Sequence, residues 1–282
     1  MWSPEIRLCR GRENYGARLD QAYFCATLLP LFFIPSPTKM SSSKPDYGID
    51  APGVIRNLLL IGVLLLPLGW FVPKLRVGPL TFVIGPAALF AGCALILEGI
   101  LMIAYAKWGK FRHRDRMLRM VDWKGDESVL DVGTGRGLLM IGAAKKLSTG
   151  KAVGIDIWSI KDLSGNTMEG TLRNAELEGV RERTEVQNGD ATAMKFADGS
   201  FDVILSNVCI HNIPTKQGRD KACKEIVRVL KPGGRAIISD FIHTGDYMKA
   251  FRAAGAVASR TGMDFLFTFP WLRIVDVQKP AT

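Results

Sequence analysis

From Leu58 to Ala106 almost every residue is apolar, and only Lys74, Arg76 and Glu98 carry charge. A run of this kind admits few folds, because a helix that is apolar on every face needs either a membrane or a large surrounding core. Pro73-Lys74-Leu75-Arg76 divides it. Leu58 to Val72, interrupted by Pro67 and flanked by Arg56, is slightly short for a span, whereas Val77 to Ala106 exceeds the roughly 20 residues that cross a bilayer core. Two antiparallel helices joined by a tight turn satisfy the backbone without water. We therefore expect a transmembrane helical hairpin over residues 54–106. A buried hairpin of a soluble protein competes with this reading, but the rest of a 282-residue chain supplies too little core to surround it.

The formal net charge of +10 raises a nucleic-acid partner, so the position of the excess matters. Lys107, Lys110, Arg112, Arg114, Arg116 and Arg119 crowd the segment after the apolar run, opposed only by Asp115. That placement suits the cytoplasmic flank of a membrane helix, and residues 107–127 are expected as a basic juxtamembrane linker. No second basic cluster interleaved with aromatics follows, so no nucleic-acid partner is expected. Lys74 and Arg76 in the loop argue for the opposite orientation, which leaves a re-entrant hairpin open. The expectation is an integral membrane protein with its catalytic domain facing the cytoplasm. The five cysteines contain no CxxC or Cys/His spacing, so neither a disulfide framework nor a metal site follows.

Residues 1–53 read as an N-terminal extension of little order. Arg7, Arg10, Arg12 and Arg18 precede an apolar run from Ala22 to Ile34, but no small-x-small cleavage site is evident. A weak interfacial anchor and a physiological start at Met40 both remain open.

From Ser128 the texture changes to short apolar runs separated by helical patterns, the mark of an α/β domain with a parallel sheet, expected over residues 128–282. Strands are expected at Ser128 to Val132, Ala152 to Ile157, Thr184 to Asn188, Phe201 to Ser206 and Arg235 to Asp240. Helices are expected at Leu138 to Leu147, Asn166 to Glu178, Thr215 to Leu230 and near Tyr247 to Ala254. Two closing strands are expected around Asp264 to Phe269 and Leu272 to Val277.

Open parallel sheets bind ligands past the carboxyl ends of their strands. After the first strand stands Asp131-Val132-Gly133-Thr134-Gly135-Arg136-Gly137, whose alternate glycines let the backbone turn tightly and approach a ligand. Asp156 ends the second strand at a distance suited to ribose hydroxyls, in a nicotinamide dehydrogenase as well as in other nucleoside-binding folds. Asn188-Gly189-Asp190-Ala191 puts another carboxylate at the same edge, and Asn207-Val208-Cys209-Ile210-His211-Asn212 follows the fourth strand.

VLDVGTGRG, GIDIW, NGDATAMKFADGSFDVILSN and LKPGGRAIISDF, in this order over about the last 155 residues, resemble the class I methyltransferase superfamily. Within it they resemble the methyltransferase type 11 and ubiquinone/menaquinone group. The resemblance implies a Rossmann-like seven-stranded sheet with a closing antiparallel strand, and S-adenosyl-L-methionine as cofactor. It implies that Asp131 and the loop of Gly133, Thr134, Gly135 and Gly137 face the methionine part. It also implies that Asp156 holds the ribose, Ile157 packs on adenine, and Asp190 with Ala191 binds the adenine edge. The apolar hairpin lies outside the resemblance.

Methyl transfer from a sulfonium needs alignment and desolvation, and a base only if the acceptor must lose a proton early. His211 and His243 both follow strands at the cofactor edge and are candidates for that base, against the plainer reading of each as a pocket or loop histidine. Asn207 is expected to line the methyl-transfer site, and Cys209 to be small apolar filling. The acceptor is expected to be a small or lipid-like molecule. A nicotinamide-dependent oxidoreductase and a silent membrane-bound scaffold are the alternatives; the GDA and KPGG elements argue against the first, and the intact Asp131, Asp156 and Asp190 against the second.

Overall fold

The computed structural model describes residues 44–281. The readings of Met1 to Lys39 and of a start at Met40 lie outside the described residues. Pro52 at the first helical position opens α1 (Pro52–Phe71), and α2 (Gly85–Ala104) returns beside it. The buried residues of α1 are Ile55, Gly62 and Gly69, and those of α2 are Gly85, Gly92 and Gly99, a seven-residue recurrence that keeps one face of each helix inward. The contact along this face is close enough to exclude a side chain: a Cβ on Gly92 would lie 2.9 Å from the Gly62 carbonyl oxygen, and one on Gly69 2.8 Å from that of Gly85. The other faces are bare apolar surface, with Trp70, Phe71 and Phe90 each more than 70% exposed. By length and composition both helices can cross a membrane.

Where a tight turn was expected between them, β1 (Lys74–Val77) and β2 (Leu80–Val83) pair as an antiparallel ribbon around Gly78, which takes positive φ. The second helix does not stop at the first charge. It passes through a π turn, Tyr105–Gly109, into α3 (Lys110–Leu118), so the segment expected as a basic linker begins as helix. Lys110, His113, Met117 and Leu118 on one side of α3 are buried against the domain that follows.

That domain is built on a seven-stranded sheet. Its parallel members are β3 (Ser128–Val132), β4 (Lys151–Asp156), β5 (Thr184–Asn188), β6 (Phe201–Asn207) and β7 (Leu230–Asp240). The helices between them are α4 (Leu138–Ala144), α5 (Met168–Leu177) and α6 (Lys216–Val229); α7 (Thr244–Ala253) leads to β8 (Val257–Arg260) and β9 (Arg273–Gln278). The sheet order is β5-β4-β3-β6-β7-β9-β8, with β9 antiparallel to both neighbours, so the expected seven-stranded sheet with its antiparallel closure is present. Helices cover both faces of the sheet, and the near-continuous apolar runs of β3 and β6 are buried on both sides. Thr167 and Thr215 cap α5 and α6 through hydroxyls that accept the N–H of Gly170 and Gly218, each at 3.0 Å.

One expectation fails. Asp264 to Phe269 is a turn, and the strand beside β9 is Val257–Arg260. The short apolar run there read as a strand, but Asp264 accepts the N–H groups of Leu266 (3.2 Å) and Phe267 (3.0 Å) and folds the chain back on itself. A smaller difference lies in β7, which begins at Leu230 rather than Arg235 and absorbs Lys231-Pro232-Gly233-Gly234 through a register shift against β6.

Candidate active site

The chain runs outward from β3 through β4 to β5, then returns to β6 on the other side of β3. The switch point thus falls between β3 and β6, where a parallel sheet opens a crevice at its carboxyl edge. Asp131 and Asn207 stand on its two sides.

The turn after β3 is held in the left-handed region at Gly133 (φ 73°), Gly135 (φ 54°) and Gly137 (φ 85°). At Gly133 space is as decisive as φ, since an added Cβ would collide with the sulfur of Cys209. Cys209 therefore fills the gap beside the loop, and burial pushes its thiol pKa up, so it stays protonated.

Asp131 is 1% exposed. Its Oδ2 accepts the Thr134 hydroxyl and the Met140 N–H, both at 2.9 Å, while Oδ1 is buried without a protein partner. Burial pushes the carboxyl up to about 7, against the lowering effect of those two bonds and with a further upward push from Asp156. A buried carboxylate oxygen with no donor is costly, and a ligand cation or N–H removes that cost.

Asp156 ties the glycine loop to the next strand: Oδ2 accepts Gly135 N–H at 2.8 Å, and Oδ1 accepts Trp158 N–H at 2.6 Å and the Asn166 amide at 3.2 Å. Beyond it a cleft of about 410 Å³ is lined by Asp156, Ile157, Trp158, Asn188, Asp190 and Met194 among others. Ile157 is 72% exposed, a large apolar surface without protein cover. Asp190 is exposed at the rim, and its carboxylate accepts Thr192 N–H at 2.7 Å. Ala191 is buried beneath the rim, where Ala193 and Met194 supply the lining.

On the other side of the switch point, the Asn207 amide donates to the Tyr105 hydroxyl at 3.3 Å, and its Oδ1 is buried without a partner. Val208 follows at φ 54°, a strained conformation for a β-branched residue, held by a 2.9 Å bond from its N–H to the Ser239 carbonyl. His211 lies on the 3-10 turn Ile210–Asn212, with Nδ1 2.9 Å from Asp240 Oδ1. That approach is an ion-pair distance out of hydrogen-bond alignment. Asp240 is fully buried and is held by the N–H of Phe241 (2.9 Å) and the Tyr247 hydroxyl (3.2 Å). His243 caps α7 in the left-handed region with Nδ1 3.9 Å from Asp246, so its ring is engaged with its own helix. The structure thus brings Asp131, the glycine loop and Asp156 into one bonded unit and sets Asn207 and His211 across from it.

Four contributors lie outside the candidate residues read from the sequence. Tyr105 and His113 enter from the helix that continues α2; His113 Nε2 is 2.7 Å from the Ser239 hydroxyl, beside Asn207 in the sheet register. Asp240 ends β7 as Asp131 and Asp156 end their strands, a regularity that could have marked it. A strap over Asp46 to Ala51 is bound to the outer side of the glycine loop: the Asp46 carbonyl accepts from Arg136 and, at 2.8 Å, from Asn174. Lys110, buried in α3, donates to the carbonyls of Tyr47 (2.7 Å) and Gly48 (2.6 Å).

A doubly wound sheet, an antiparallel β9 inside it and a glycine loop feeding a cleft at the switch point define the class I methyltransferase fold. Residues 129–234 match the family described as Methyltransferase domain, and this part of the chain is similar to S-adenosylmethionine-dependent methyltransferases. Among solved structures, the fold matches the YcgJ protein of Bacillus subtilis at a TM-score of 0.50 and 16% identity, covering 59% of this chain and 97% of that one. The cyclase SpnF matches at the same score and identity over 83% of this chain and 100% of that one. The ubiquinone/menaquinone biosynthesis C-methyltransferase UbiE of Roseobacter denitrificans is 30% identical over 46% of this chain and 49% of its own length. The sterol 4-C-methyltransferase strm-1 of Caenorhabditis elegans is 35% identical over 43% and 33%. The chain spans a third to little more than half of the length of such relatives.

Proposed function

We propose that this protein transfers a methyl group from S-adenosyl-L-methionine to a small or lipid-like acceptor at a membrane, with the catalytic domain on the cytoplasmic side. The observation that carries this reading is the buried, unpartnered Oδ1 of Asp131 at the switch point, an acceptor suited to the ammonium of the cofactor's methionine part. Asp156 retains lone pairs toward the cleft for the ribose hydroxyls. Ile157 offers its bare face to adenine, and Asp190 with the Ala191 backbone meets the adenine edge.

The bound cofactor supplies an activated methyl group on a sulfonium, so the chain's own task is alignment and exclusion of water. Asn207 and Tyr105 position the acceptor opposite the glycine loop. His211, with Asp240 behind its Nδ1, presents Nε2 to take a proton from a hydroxyl or enol acceptor. His243 is left with the lesser role of a cleft-edge residue, because its ring is turned to Asp246.

An apolar acceptor is supported by three things: the bare apolar hairpin, the continuity of α2 into the wall that carries Tyr105, and relatives named for sterol and quinone C-methylation. Calorimetric titration of the detergent-solubilised full chain with S-adenosylmethionine, S-adenosylhomocysteine and NADH tests the reading. Heat from the first two and none from NADH is expected; heat from NADH alone would overturn it.

A further inference from the structure

Arg112 and Arg116 of α3 and Arg119 at its C-cap are spaced four and three residues apart and so lie along one face of the helix. Facing them is the connection from β8 to β9, and the two enclose a groove of about 640 Å³ whose lining shares no residue with the cleft at Asp156. We propose that this groove binds the phosphate headgroup of an anionic phospholipid and thereby seats the catalytic domain on the bilayer; the proposal rests on the membrane reading above.

Two of the three arginines that line the groove keep their charge free of ion pairs with its carboxylates. Arg116 pairs with Asp264 at 2.8 Å, and Asp115 at the rim is taken by Arg114 at 2.8 Å. Arg112 and Arg119 form no ion pair among the described residues. Arg112 instead rests over the Phe267 ring, 5.2 Å from its centroid, and is exposed, so its guanidinium is available to a phosphate oxygen pair.

The facing wall is apolar and held rigidly. Phe265 is 66% and Leu266 79% exposed, on a turn fixed by Asp264, by the Thr268 hydroxyl donating to the Asp264 carbonyl at 2.7 Å, and by Leu272 N–H donating to Thr268 at 2.9 Å. A soluble anion has no use for that wall. A phospholipid does: its phosphate meets the guanidinium groups while its upper acyl chain lies along Phe265 and Leu266.

Position agrees with chemistry. Arg112 follows Ala104 by eight residues, about 12 Å along a continuous helix, and an arginine side chain reaches back over much of that distance. Trp108, 69% exposed at the same level, belongs to the residue type that settles at a membrane interface.

The test uses the full chain in mild detergent, incubated with phosphatidylglycerol, phosphatidylcholine, inorganic phosphate or a short DNA duplex, with retained lipid measured by native mass spectrometry. Phosphatidylglycerol is expected to be retained over phosphatidylcholine. The double variant Arg112→Gln/Arg119→Gln, both exposed positions, should lower that retention about thirtyfold, roughly a factor of five for each arginine. Leu266→Ser should weaken it while sparing the preference for the anionic lipid. Retention unchanged in the double variant, or displacement of the lipid by an equal concentration of phosphate or by DNA, overturns the proposal. Extraction of membranes with alkaline carbonate separates the two readings. If the wild-type chain is released, the membrane reading itself fails; if it stays embedded yet shows no anionic preference, only the headgroup site fails.

Discussion

With Asp131 as the proposed partner of the cofactor's ammonium, its titration predicts the pH response of this site. In the protein alone, burial holds its carboxyl near 7, so below that pH the group is increasingly protonated. An ammonium requires the carboxylate, so binding draws the pKa down and releases a proton; affinity must then fall as pH drops below about 7, approaching tenfold per unit. We expect the dissociation constant of S-adenosylmethionine at pH 6 to be about tenfold that at pH 8, and Asp131→Asn to bind weakly with a flat profile. Calorimetry at the two pH values decides it, and an equally steep profile in the variant would remove Asp131 from the role. Residues of this kind were legible because their geometry is local: Asp131, Gly133 and Asp156 sit at fixed offsets from two strand ends. Tyr105 and His113 were not, since the groups they meet, Asn207 and Ser239, lie 102 and 126 residues away, and no short-range pattern encodes such a pairing.

At the scale of elements, the sequence exposed β3, β4, β6 and the second half of β7 through their apolar runs, and Thr184 to Asn188, with Val186 its only apolar residue, agrees end to end. It misplaced the strand before β9, because a short apolar run cannot separate a strand from a turn whose apolar residues are exposed. Val257–Arg260, with only Ala258 buried, lacks the pattern that would have marked it. The helical hairpin was legible from hydropathy, yet its packing rule is carried by glycines that hydropathy ignores. Gly92→Leu would force a side chain onto the Gly62 carbonyl, whereas Cys93→Leu adds bulk at an exposed neighbour. Overpacking of this sort costs on the order of 1–3 kcal/mol. The thermal midpoint of the detergent-solubilised Gly92→Leu chain should fall by several degrees and that of Cys93→Leu should not. Equal midpoints would mean that the two helices do not pack along this stripe.

For the whole molecule, the hairpin and the catalytic domain are joined more intimately than a tether requires. The helix of the second apolar run continues without a break into α3, whose buried Lys110 clamps the strap at Tyr47 and Gly48, and the strap in turn holds Arg136 and Asn174 behind the glycine loop. Arg136 sits between Gly135 and Gly137, so the ordering of the loop depends on residues that lead directly into α1. Two truncations distinguish anchor from scaffold. Removal of residues 1–43 leaves the strap, Tyr105 and every bond described above in place, and cofactor affinity should be that of the full chain. Removal of residues 1–106 takes away the strap and Tyr105 together. The charge-assisted bonds to the strap, from Lys110 to the carbonyls of Tyr47 and Gly48 and from Arg136 to that of Asp46, are then lost, at about 1.5–3 kcal/mol each when fully formed. Only part of that loss reaches the loop, because both donors regain water, so a weakening of S-adenosylmethionine binding of about tenfold or more is expected by calorimetry. Equal affinity in the two truncated chains would show that the domain from residue 107 onward builds its cofactor site unaided and that the hairpin serves location alone.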